Sequence, residues 1–512
     1  MKGITNAQKD VSDLATKGEL AQKADKTALD AVEDKVCTQG VYSEDEVSGK
    51  GKIEFKNADN VTLFTVTGIS EGSSSSTANV AVTLEDKESG VTVTATPAVG
   101  TAKTAVSNSS GVTVFTSLAQ GDWTFSASGY ASRNESLIGG FQTTITLNSI
   151  IYGFRIAVDD SSPSARVSYP QTLFDKTNGA YGKTPASGNN DDCMKGWAEC
   201  ELISGIKRQV GSGSTYTDVL DKRSTVQGSP SKNVMTYIPT WYMKMTNDGT
   251  NIDCAFSRTQ IDDTWKDYAG SIGPNRIGHF RVGCYACKSD FKSYAGRPKV
   301  NTSISDFIAG CKALGTGYDI MTWYQWTYLI ALAVLLYKST NLQEAMAQGY
   351  VNGSSVQNES GIYFTNDYGI AGTKSSGNSQ MTFFWIQNLW GNIYQFVGGA
   401  KTDSSYKLMT STGYSSVNDS DFDKKSLGGP SSNLSSYISK VVGTTDAGFF
   451  PAECSGVETT YFADYGSVGT SAFPYVGGSC NSGDNAGPFY AYFYNSATST
   501  DAYFGSRLSY RL

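Results

Sequence analysis

Cysteine residues are the first candidates for chemistry in this chain of 512 residues. Cys284 and Cys287 have the CxxC spacing of metal and redox sites. A structural zinc site needs four ligands, usually two such pairs, and the sequence has no second CxxC and no CxxH. Cys311 alone does not complete the set. We therefore expect neither a metal nor a cofactor at these cysteines.

His279 is the single histidine of the chain, so a Ser-His-Asp or Cys-His device has one candidate base. It stands between Gly278 and Phe280 in a segment with strand character, and a structural role is the commoner one for such a histidine. The types of residue available therefore favour a protein that is not an enzyme.

Three acidic residues, Asp419, Asp421 and Asp423, alternate as they do at the start of a calcium loop. Lys424 stands where such a loop needs Gly, and Pro430 stands where it needs a bidentate Glu. We therefore expect solvated loop carboxylates without a metal. A carboxylate pair for glycoside cleavage stays open as an alternative, because its members can lie far apart in sequence.

The composition indicates a globular, strand-rich and acidic protein. The formal net charge is −7 and no Lys/Arg cluster interleaves with aromatic residues, which disfavours nucleic acid as a partner. The longest apolar run, 329–337, has nine residues, whereas a bilayer requires about 20, so we expect a buried helix and no membrane insertion. Nine scattered cysteines fit mostly free thiols in a protein assembled in a reducing cytoplasm.

Aromatic residues concentrate at the end of the chain. Residues 461–512 hold 13 aromatics in 52 positions, against 12% for the whole chain, set among Gly, Ser and Asn. This is the composition of antibody paratopes, in which tyrosine supplies rigid contact area. Along a strand over 489–494, tyrosines alternate with phenylalanines, and we expect the tyrosine side to face outward. The candidate ligand-binding residues are Tyr475, Ser479, Asn481, Asp484, Tyr490, Tyr492, Tyr494, Asn495 and Ser496.

The sequence divides into segments of different character, which must together position these residues. This division predicts a multidomain chain. Residues 1–40 carry a helical pattern in which Leu29, Val32 and Val36 follow the spacing of a coiled-coil seam. We expect an N-terminal α-helical stalk that makes the chain a homotrimer. A lone amphipathic helix is the alternative.

Two further segments follow the predicted stalk. Residues 41–149, with β-branched alternation over 60–148, predict a small antiparallel β-sandwich. Residues 150–512 contain two helical stretches, 303–314 and 322–347, and then strands and loops, which predicts an α+β domain.

The sandwich segment resembles a known family of spacer modules. The stretch 110–130, SGVTVFTSLAQGDWTFSASGY, is similar to carboxypeptidase-regulatory or transthyretin-like sandwiches. Such modules are usually spacers, and this one contains no reactive constellation. The resemblance therefore implies a spacer between the stalk and the last domain.

The last domain resembles the C-type-lectin fold in its formylglycine-generating-enzyme-related form. The stretch 384–399, FWIQNLWGNIYQFVGG, looks like the core strand of that fold. Stretches 276–280 and 293–302 and the helix pair have the order of lectin-like phage tail proteins. The ending, 504–512, is similar to the last strand of variable proteins diversified by retroelements. Scaffold positions implied by the resemblance are Trp390, Gly391, Asn392, Gly487, Gly505 and Arg507.

The sequence departs from two activities of these families. Formylglycine-generating enzymes use a pair of cysteines near the C-terminus to bind copper, and no cysteine follows Cys480 here. Calcium-type lectins use Glu-Pro-Asn or Gln-Pro-Asp triplets, which this chain lacks. The departures disfavour oxidase activity and calcium-dependent sugar binding.

The resemblance implies a virion protein, a bacteriophage tail fibre or receptor-binding protein that adheres to a bacterial surface. Its expected partners are a host glycan or protein and, through the N-terminus, other tail or baseplate proteins. Assembly would take place in the host cytoplasm. Two alternatives stay open, a purely structural fibre or decoration subunit and a glycan depolymerase.

Overall fold

The computed structural model describes strands within 39–44, 50–56 and 62–70, and then residues 76–511 apart from 86, 240, 268–278, 375 and 412–414. The proposed coiled-coil seam lies outside the described residues. The first strands pair antiparallel in chain order as one sheet: β1 (Gln39–Glu44), β2 (Lys50–Lys56) and β3 (Thr62–Ser70).

Seven strands between residues 77 and 147 form two sheets around one apolar core. One sheet has the order β10-β4-β7 and the other β6-β5-β8-β9. Alternate residues such as Val80, Val82 and Val93 are fully buried, because each sheet has one face on the core. The strands are β4 (Thr77–Leu84), β5 (Thr92–Pro97), β6 (Lys103–Val106), β7 (Val112–Ala119), β8 (Gly121–Ala127), β9 (Arg133–Leu137) and β10 (Gln142–Leu147).

The next part of the chain begins two further sheets. One has five strands in the order β12-β11-β19-β18-β20, and the other starts β16-β15-β17-β21. The strands are β11 (Ile151–Ala157), β12 (Val167–Ser168), β13 (Thr172–Leu173), β14 (Lys176–Thr177), β15 (Lys207–Ser212), β16 (Thr215–Asp218), β17 (Asn233–Pro239), β18 (Tyr242–Asn247), β19 (Asn251–Ser257), β20 (Lys266–Asp267) and β21 (His279–Ala286).

The rest of the chain completes the larger sheet. The remaining strands are β22 (Tyr318–Ile320), β23 (Thr382–Phe383), β24 (Ile386–Gln387), β25 (Tyr394–Phe396), β26 (Ala400–Thr402), β27 (Leu408–Thr410), β28 (Leu434–Tyr437), β29 (Lys440–Val441), β30 (Pro451–Glu453), β31 (Tyr465–Val468), β32 (Phe473–Gly477), β33 (Gly487–Asn495) and β34 (Phe504–Tyr510). The strand order continues β21-β34-β25-β32-β33-β31-β28, with β22 also paired to β34. The last strand thus lies mid-sheet, and all its residues are buried.

Four α-helices lie among the described residues: α1 (Glu201–Ser204), α2 (Ile304–Lys312), α3 (Trp323–Tyr337) and α4 (Leu342–Ala345). Every residue of α3 is buried, which explains its unbroken apolar run. Thr322 and Gln325 form a capping box at its start, and Lys338 ends it in the left-handed conformation with φ of 53°. This break divides the helix predicted over 322–347 into α3 and α4.

Helix α3 also bears on the membrane prediction. It has 15 residues, and no helix in the described part of the chain is long and apolar enough to cross a bilayer. Its surroundings are protein: the ring of Tyr328 packs edge-on against Phe256 at 5.1 Å and Phe280 at 5.7 Å. Helix α3 therefore forms the apolar centre of the large domain.

The fold-class prediction is wrong in its helical content. Strands dominate the described residues, which contain no helical stalk and only four α-helices, so the last domain is a mainly β structure and not α+β. The sandwich is also not wholly antiparallel, because β10 pairs parallel to β4. Apolar residues at helical spacing predicted α2, and the unbroken apolar run predicted α3. Apart from the alternation over 489–494, the short, loop-separated strands between residues 382 and 510 gave no comparable signal.

Candidate ligand-binding site

Tyrosines from neighbouring strands share one face of the large sheet, from β25 to the edge strand β28. Tyr475 of β32 stands opposite Tyr492 of β33, and Tyr437 of β28 opposite Tyr465 of β31. Residues opposite each other on paired strands point to the same side of a sheet. We call this surface the tyrosine face; it consists of Tyr394, Tyr437, Tyr465, Tyr475, Tyr490, Tyr492 and Tyr494.

The rings of this face stack on one another. The ring centroids of Tyr475 and Tyr492 are 4.9 Å apart with planes 14° apart, and those of Tyr490 and Tyr492 are 6.3 Å and 9° apart. Tyr394 extends the stack to Tyr490 at 5.7 Å. Offset aromatic pairs of this kind add about 0.5–1.5 kcal/mol beyond the burial of their area. The stack therefore holds its rings in fixed positions.

Exposure rises along the tyrosine face toward its edge. Tyr475 and Tyr490 are only 6% and 5% exposed, Tyr492 is half-buried, and Tyr494 is 58% exposed. The prediction that the tyrosine side faces outward is therefore wrong for Tyr490. The physical reason is that the stack itself, together with aromatic neighbours such as Phe504, covers this side of β33. We call the half-buried and exposed tyrosines of β28, β31 and β33 the rim: Tyr437, Tyr465, Tyr492 and Tyr494.

Burial also fixes the protonation of the covered rings. It raises the pKa of Tyr475 and of Tyr490 far above the ordinary tyrosine value, with a smaller contribution from neighbouring tyrosines. The hydroxyl groups of Tyr475 and Tyr490 therefore stay neutral. At the rim, the hydroxyls of Ser435 and Tyr465 are hydrogen-bonded at 3.1 Å. The rim presents rings and hydroxyls together.

The structure divides the predicted contact residues into two groups. Asn495, which is half-buried, is the last residue of β33, and exposed Ser496 follows it. Both therefore lie beside Tyr494 in the chain, at the end of that strand. The second group lies in the loop that joins β32 to β33. It consists of Ser479, which is fully buried and donates to Asn481 Oδ1 at 2.7 Å, and of exposed Asn481 and Asp484. A contact role for Ser479 would require that loop to open.

Three tyrosines of the face escaped the sequence analysis as contact residues. Tyr465 was visible only as part of the aromatic enrichment after residue 461. Tyr437 follows two serines in a segment without alternation, and Tyr394 lies inside the core stretch that resembles lectin folds. Their strands join β33 from distant parts of the chain, so no local pattern marks them as neighbours.

Arg507 of β34 holds the strands beneath the face together. Its guanidinium is fully buried and donates to Gln395 Oε1 at 3.0 Å and to the carbonyl of Gly283 at 2.8 Å. It also donates to the carbonyls of Gln387 and Asn388 at 2.7 and 3.1 Å. Burial lowers its pKa from the usual value. These bonds connect β34 to β21, β25 and β24.

Tight backbone turns support the same region. Gly391 and Asn392 have φ of 77° and 65°, and Trp390 Nε1 donates to the carbonyl of Ala347 at 3.0 Å. Gly487 has φ of 145°, and a Cβ there would lie 2.2 Å from Asp464 Oδ1. At Gly505 a Cβ would meet Ile393 Cδ1 at 2.7 Å. The predicted scaffold residues therefore lie where the backbone or the packing leaves no room.

The residues singled out for chemistry have structural partners. His279 Nε2 lies 3.0 Å from an Arg281 nitrogen, and its ring lies 4.7 Å from that of Tyr237 with the planes tilted by 31°. Burial, and secondarily the charge of Arg281, lower the pKa of His279 to about 4. The two sulfurs of the CxxC pair face different groups. Cys284 Sγ is 3.4 Å from Thr236 Oγ1, and Cys287 Sγ is 3.8 Å from Cys311 Sγ.

The acidic run at 419–423 forms local bonds. Ser416 Oγ donates to Asp421 Oδ2 at 2.5 Å, and Lys401 forms an ion pair with Asp419. Across the described residues, no three His, Cys, Asp or Glu side chains come together as a metal site.

No family model matches the chain, and no curated protein matches it. Among solved structures, it is similar to the Major Tropism Determinant U1 variant, at 11% identity over 60% of this chain and 71% of that one, with a TM-score of 0.25. The P3c variant is 10% identical over 94% and 96% of the two chains, with a TM-score of 0.23. A streptococcal ancillary pilin is 12% identical over 41% and 73%, with a TM-score of 0.14.

Proposed function

We propose that this chain is a receptor-binding protein that adheres to a cell-surface ligand through the rim of the tyrosine face. The observation that carries the proposal is the gradient along the stack, from Tyr475 at 6% exposure to Tyr494 at 58%. The covered rings hold the exposed ones rigid, so binding a ligand would freeze few side-chain rotamers.

The chemistry of the rim supports adhesion to a sugar or a protein surface. Tyr492 and Tyr494 offer aromatic area with ring centroids 5.9 Å apart, while Ser435 and Tyr465 offer hydroxyls that donate and accept. Large aromatic anchors are typical of binding hot spots. Tyrosine combined with serine is typical of the contact surfaces of antibodies. The four rim residues are all tyrosines, with no carboxylate or histidine among them, and the proposal is binding without catalysis.

The assignment to a bacteriophage rests on the sequence resemblance of the ending 504–512 to retroelement-diversified proteins. The proposal places the protein in the virion as a tail fibre, with a bacterial surface glycan or protein as its ligand. Several weak sites acting together would give stable attachment, so an oligomer of this chain suits the function.

The test is adsorption of the full chain to host cells, with and without the exposed anchors. Truncating a hot-spot aromatic typically costs ~2 kcal/mol or more, about 30-fold in affinity. Tyr492→Ala combined with Tyr494→Ala should therefore lower cell binding at least about 30-fold while the protein stays folded.

The matched control is Tyr181→Ala combined with Tyr363→Ala, which removes two tyrosines that are 57% and 68% exposed elsewhere on the chain. The control should bind cells like the unmodified protein. Normal adsorption by a folded rim variant would contradict the proposal and favour a structural fibre subunit. Release of reducing ends from host glycan by the unmodified protein would favour a depolymerase.

A further inference from the structure

Three buried side chains of the large domain, Lys288, Glu359 and Asn388, are joined by hydrogen bonds. Lys288 Nζ donates to Glu359 Oε2 at 3.0 Å, and Asn388 Nδ2 donates to Glu359 Oε1 at 3.3 Å. Lys288 is 3% exposed, and the other two side chains are fully buried. A carboxylate within hydrogen-bond reach of an amine and of a carboxamide nitrogen is placed to carry protons between them.

The surrounding backbone holds these groups in position. Asn388 directly follows β24, and its carbonyl accepts a hydrogen bond from Arg507 at 3.1 Å. The backbone of Glu359 pairs with that of Gly296 through N–H···O bonds of 2.9 and 2.7 Å. Glu359 Oε2 also accepts the N–H of Ala286 at 2.7 Å. Fixed positions of this kind lower the entropic cost of a reaction between neighbouring groups.

The carboxamide of Asn388 is oriented through its nitrogen. Besides its bond to Glu359, Nδ2 donates to Gln380 Oε1 at 3.2 Å. The Oδ1 atom has no hydrogen-bond partner among the residues that the structure describes. A buried acceptor without a donor is destabilising, so the cluster is not the fully satisfied polar network that a purely structural role favours.

Glu359 also serves as the counter-charge of two buried cations, Lys288 and Arg507. Arg507 is fully buried, and the charge of Glu359 is the largest of the effects that oppose the lowering of its pKa by burial. Buried charges are costly unless each is paired. A reaction that removed the charge of Lys288 would leave Glu359 and Arg507 as one matched pair.

We propose that the folded chain joins Lys288 to Asn388 by an intramolecular isopeptide bond. Lys288 first gives a proton to Glu359, which leaves a neutral amine as the nucleophile. Nζ attacks Cγ of Asn388, and the Nζ–Cγ bond forms. Glu359 returns its proton to Nδ2 and accepts another from Nζ, and the Cγ–Nδ2 bond breaks to release ammonia. The ammonia takes up the second proton, so Glu359 ends as it began and no oxidant or cofactor is needed.

The bond would tie the segment after β21 to the segment after β24, beneath the tyrosine face. It would close residues 288–388 into a covalent loop, and such a loop restricts the unfolded chain as a disulfide does. Covalent closure suits a chain that must stay folded while it is attached to a surface. The inference does not rest on the proposed function, because it concerns only the interior of the domain.

Mass spectrometry of the purified full chain tests the inference, because the reaction removes one molecule of ammonia. We expect the intact protein, measured unfolded, to be lighter than its sequence mass by that molecule. Trypsin should release the peptide 282–292 joined to the peptide 375–401, with no cleavage after Lys288. Fragmentation of the joined species should place the link between Lys288 and Asn388.

Two variants separate the roles of the side chains. Lys288→Arg removes the nucleophile and keeps its charge, and Glu359→Gln removes the proton carrier and keeps its shape. Both variants should retain the ammonia and give the two peptides separately. Lys401→Arg is the matched control, since Lys401 is also a buried lysine in an ion pair, with Asp419. The control should lose ammonia like the unmodified protein.

The unmodified protein decides the inference even where a variant fails to fold. Its full sequence mass would overturn the inference, and so would a loss of ammonia confined to one peptide, as a cyclised asparagine gives. A joined species in folded Glu359→Gln would overturn the proton transfer through Glu359. Cell adsorption that depends on Tyr492 and Tyr494 would leave the proposed function standing in each of those cases.

Discussion

The rings of Tyr475 and Tyr492 stack across β32 and β33 with centroids 4.9 Å apart and planes 14° apart. One ring is buried and the other is half-buried, so this pair marks where the hydrophobic core becomes binding surface. Substitutions on the two sides of that boundary should have different effects. On the buried side they should reduce folding stability, and on the open side they should reduce binding.

The first prediction concerns the buried side. Tyr490→Ala should lower the free energy of unfolding by about 3 kcal/mol or more, because it removes a ring that is 5% exposed and stacks on three neighbours. Tyr494→Ala removes a ring that is 58% exposed and should change stability by about 0.5 kcal/mol at most. Urea unfolding of the two variants is the measurement. Equal stabilities would mean that Tyr490 is not part of the core.

Gly487 provides the second prediction, on close packing at the start of β33. Gly487→Ala should destabilise the protein strongly, because the new Cβ would lie 2.2 Å from Asp464 Oδ1 at a φ of 145°. Gly315→Ala is the matched control: its φ is 128°, but no atom lies within 4 Å of the added Cβ. Thermal unfolding should show a markedly larger loss for Gly487→Ala. Similar losses of stability in the two variants would mean that backbone strain alone causes the effect.

The sequence predicted the local features of the face and missed the distant ones. Period-two alternation in 489–494 correctly placed Tyr490, Tyr492 and Tyr494 on one side of a strand, because that property depends only on the strand itself. What covers that side depends on β25, β31 and β32, which come from separate parts of the chain. Alternation cannot reveal those neighbours, so Tyr490 was wrongly expected at the surface.

The difference between local patterns and distant contacts also explains which features of the helices and of the scaffold residues the sequence predicted. The unbroken apolar run predicted α3, and its end at Lys338 was missed because a left-handed lysine carries no sequence signal. Gly487 and Arg507 entered through family resemblance, whereas their physical roles depend on Asp464 and on the carbonyls around Arg507. Such three-dimensional contacts are visible only in the folded chain.

The third prediction tests the capping box of α3. Thr322 Oγ1 accepts the backbone N–H of Gln325 at 3.2 Å, and Gln325 Oε1 accepts that of Thr322 at 3.0 Å. Thr322→Ala should cost about 1–2 kcal/mol, because it leaves a helix N–H without its acceptor. Thr322→Ser keeps the hydroxyl and should retain most of that stability. A serine variant as unstable as the alanine variant would assign the loss to packing of the methyl group.

The last prediction is that the single histidine makes the stability of the folded protein depend on pH. Burial, and secondarily the charge of Arg281, lower the pKa of His279 in the folded protein from 6.5 to about 4. Between these values the unfolded chain binds a proton that the folded chain does not. The contribution of His279 to stability is therefore fully present above pH 6.5 and is lost as the pH falls toward 4.

Urea unfolding at pH 7 and at pH 4.5 measures this contribution when the unmodified protein is compared with His279→Gln. The carboxylates are common to both proteins, so their titration cancels in the comparison. We expect the unmodified protein to lose more stability between the two pH values than the glutamine variant does, because only its unfolded state gains a proton at residue 279. The same loss in both proteins would show that His279 titrates normally and that Arg281 and Tyr237 do not shield it from water.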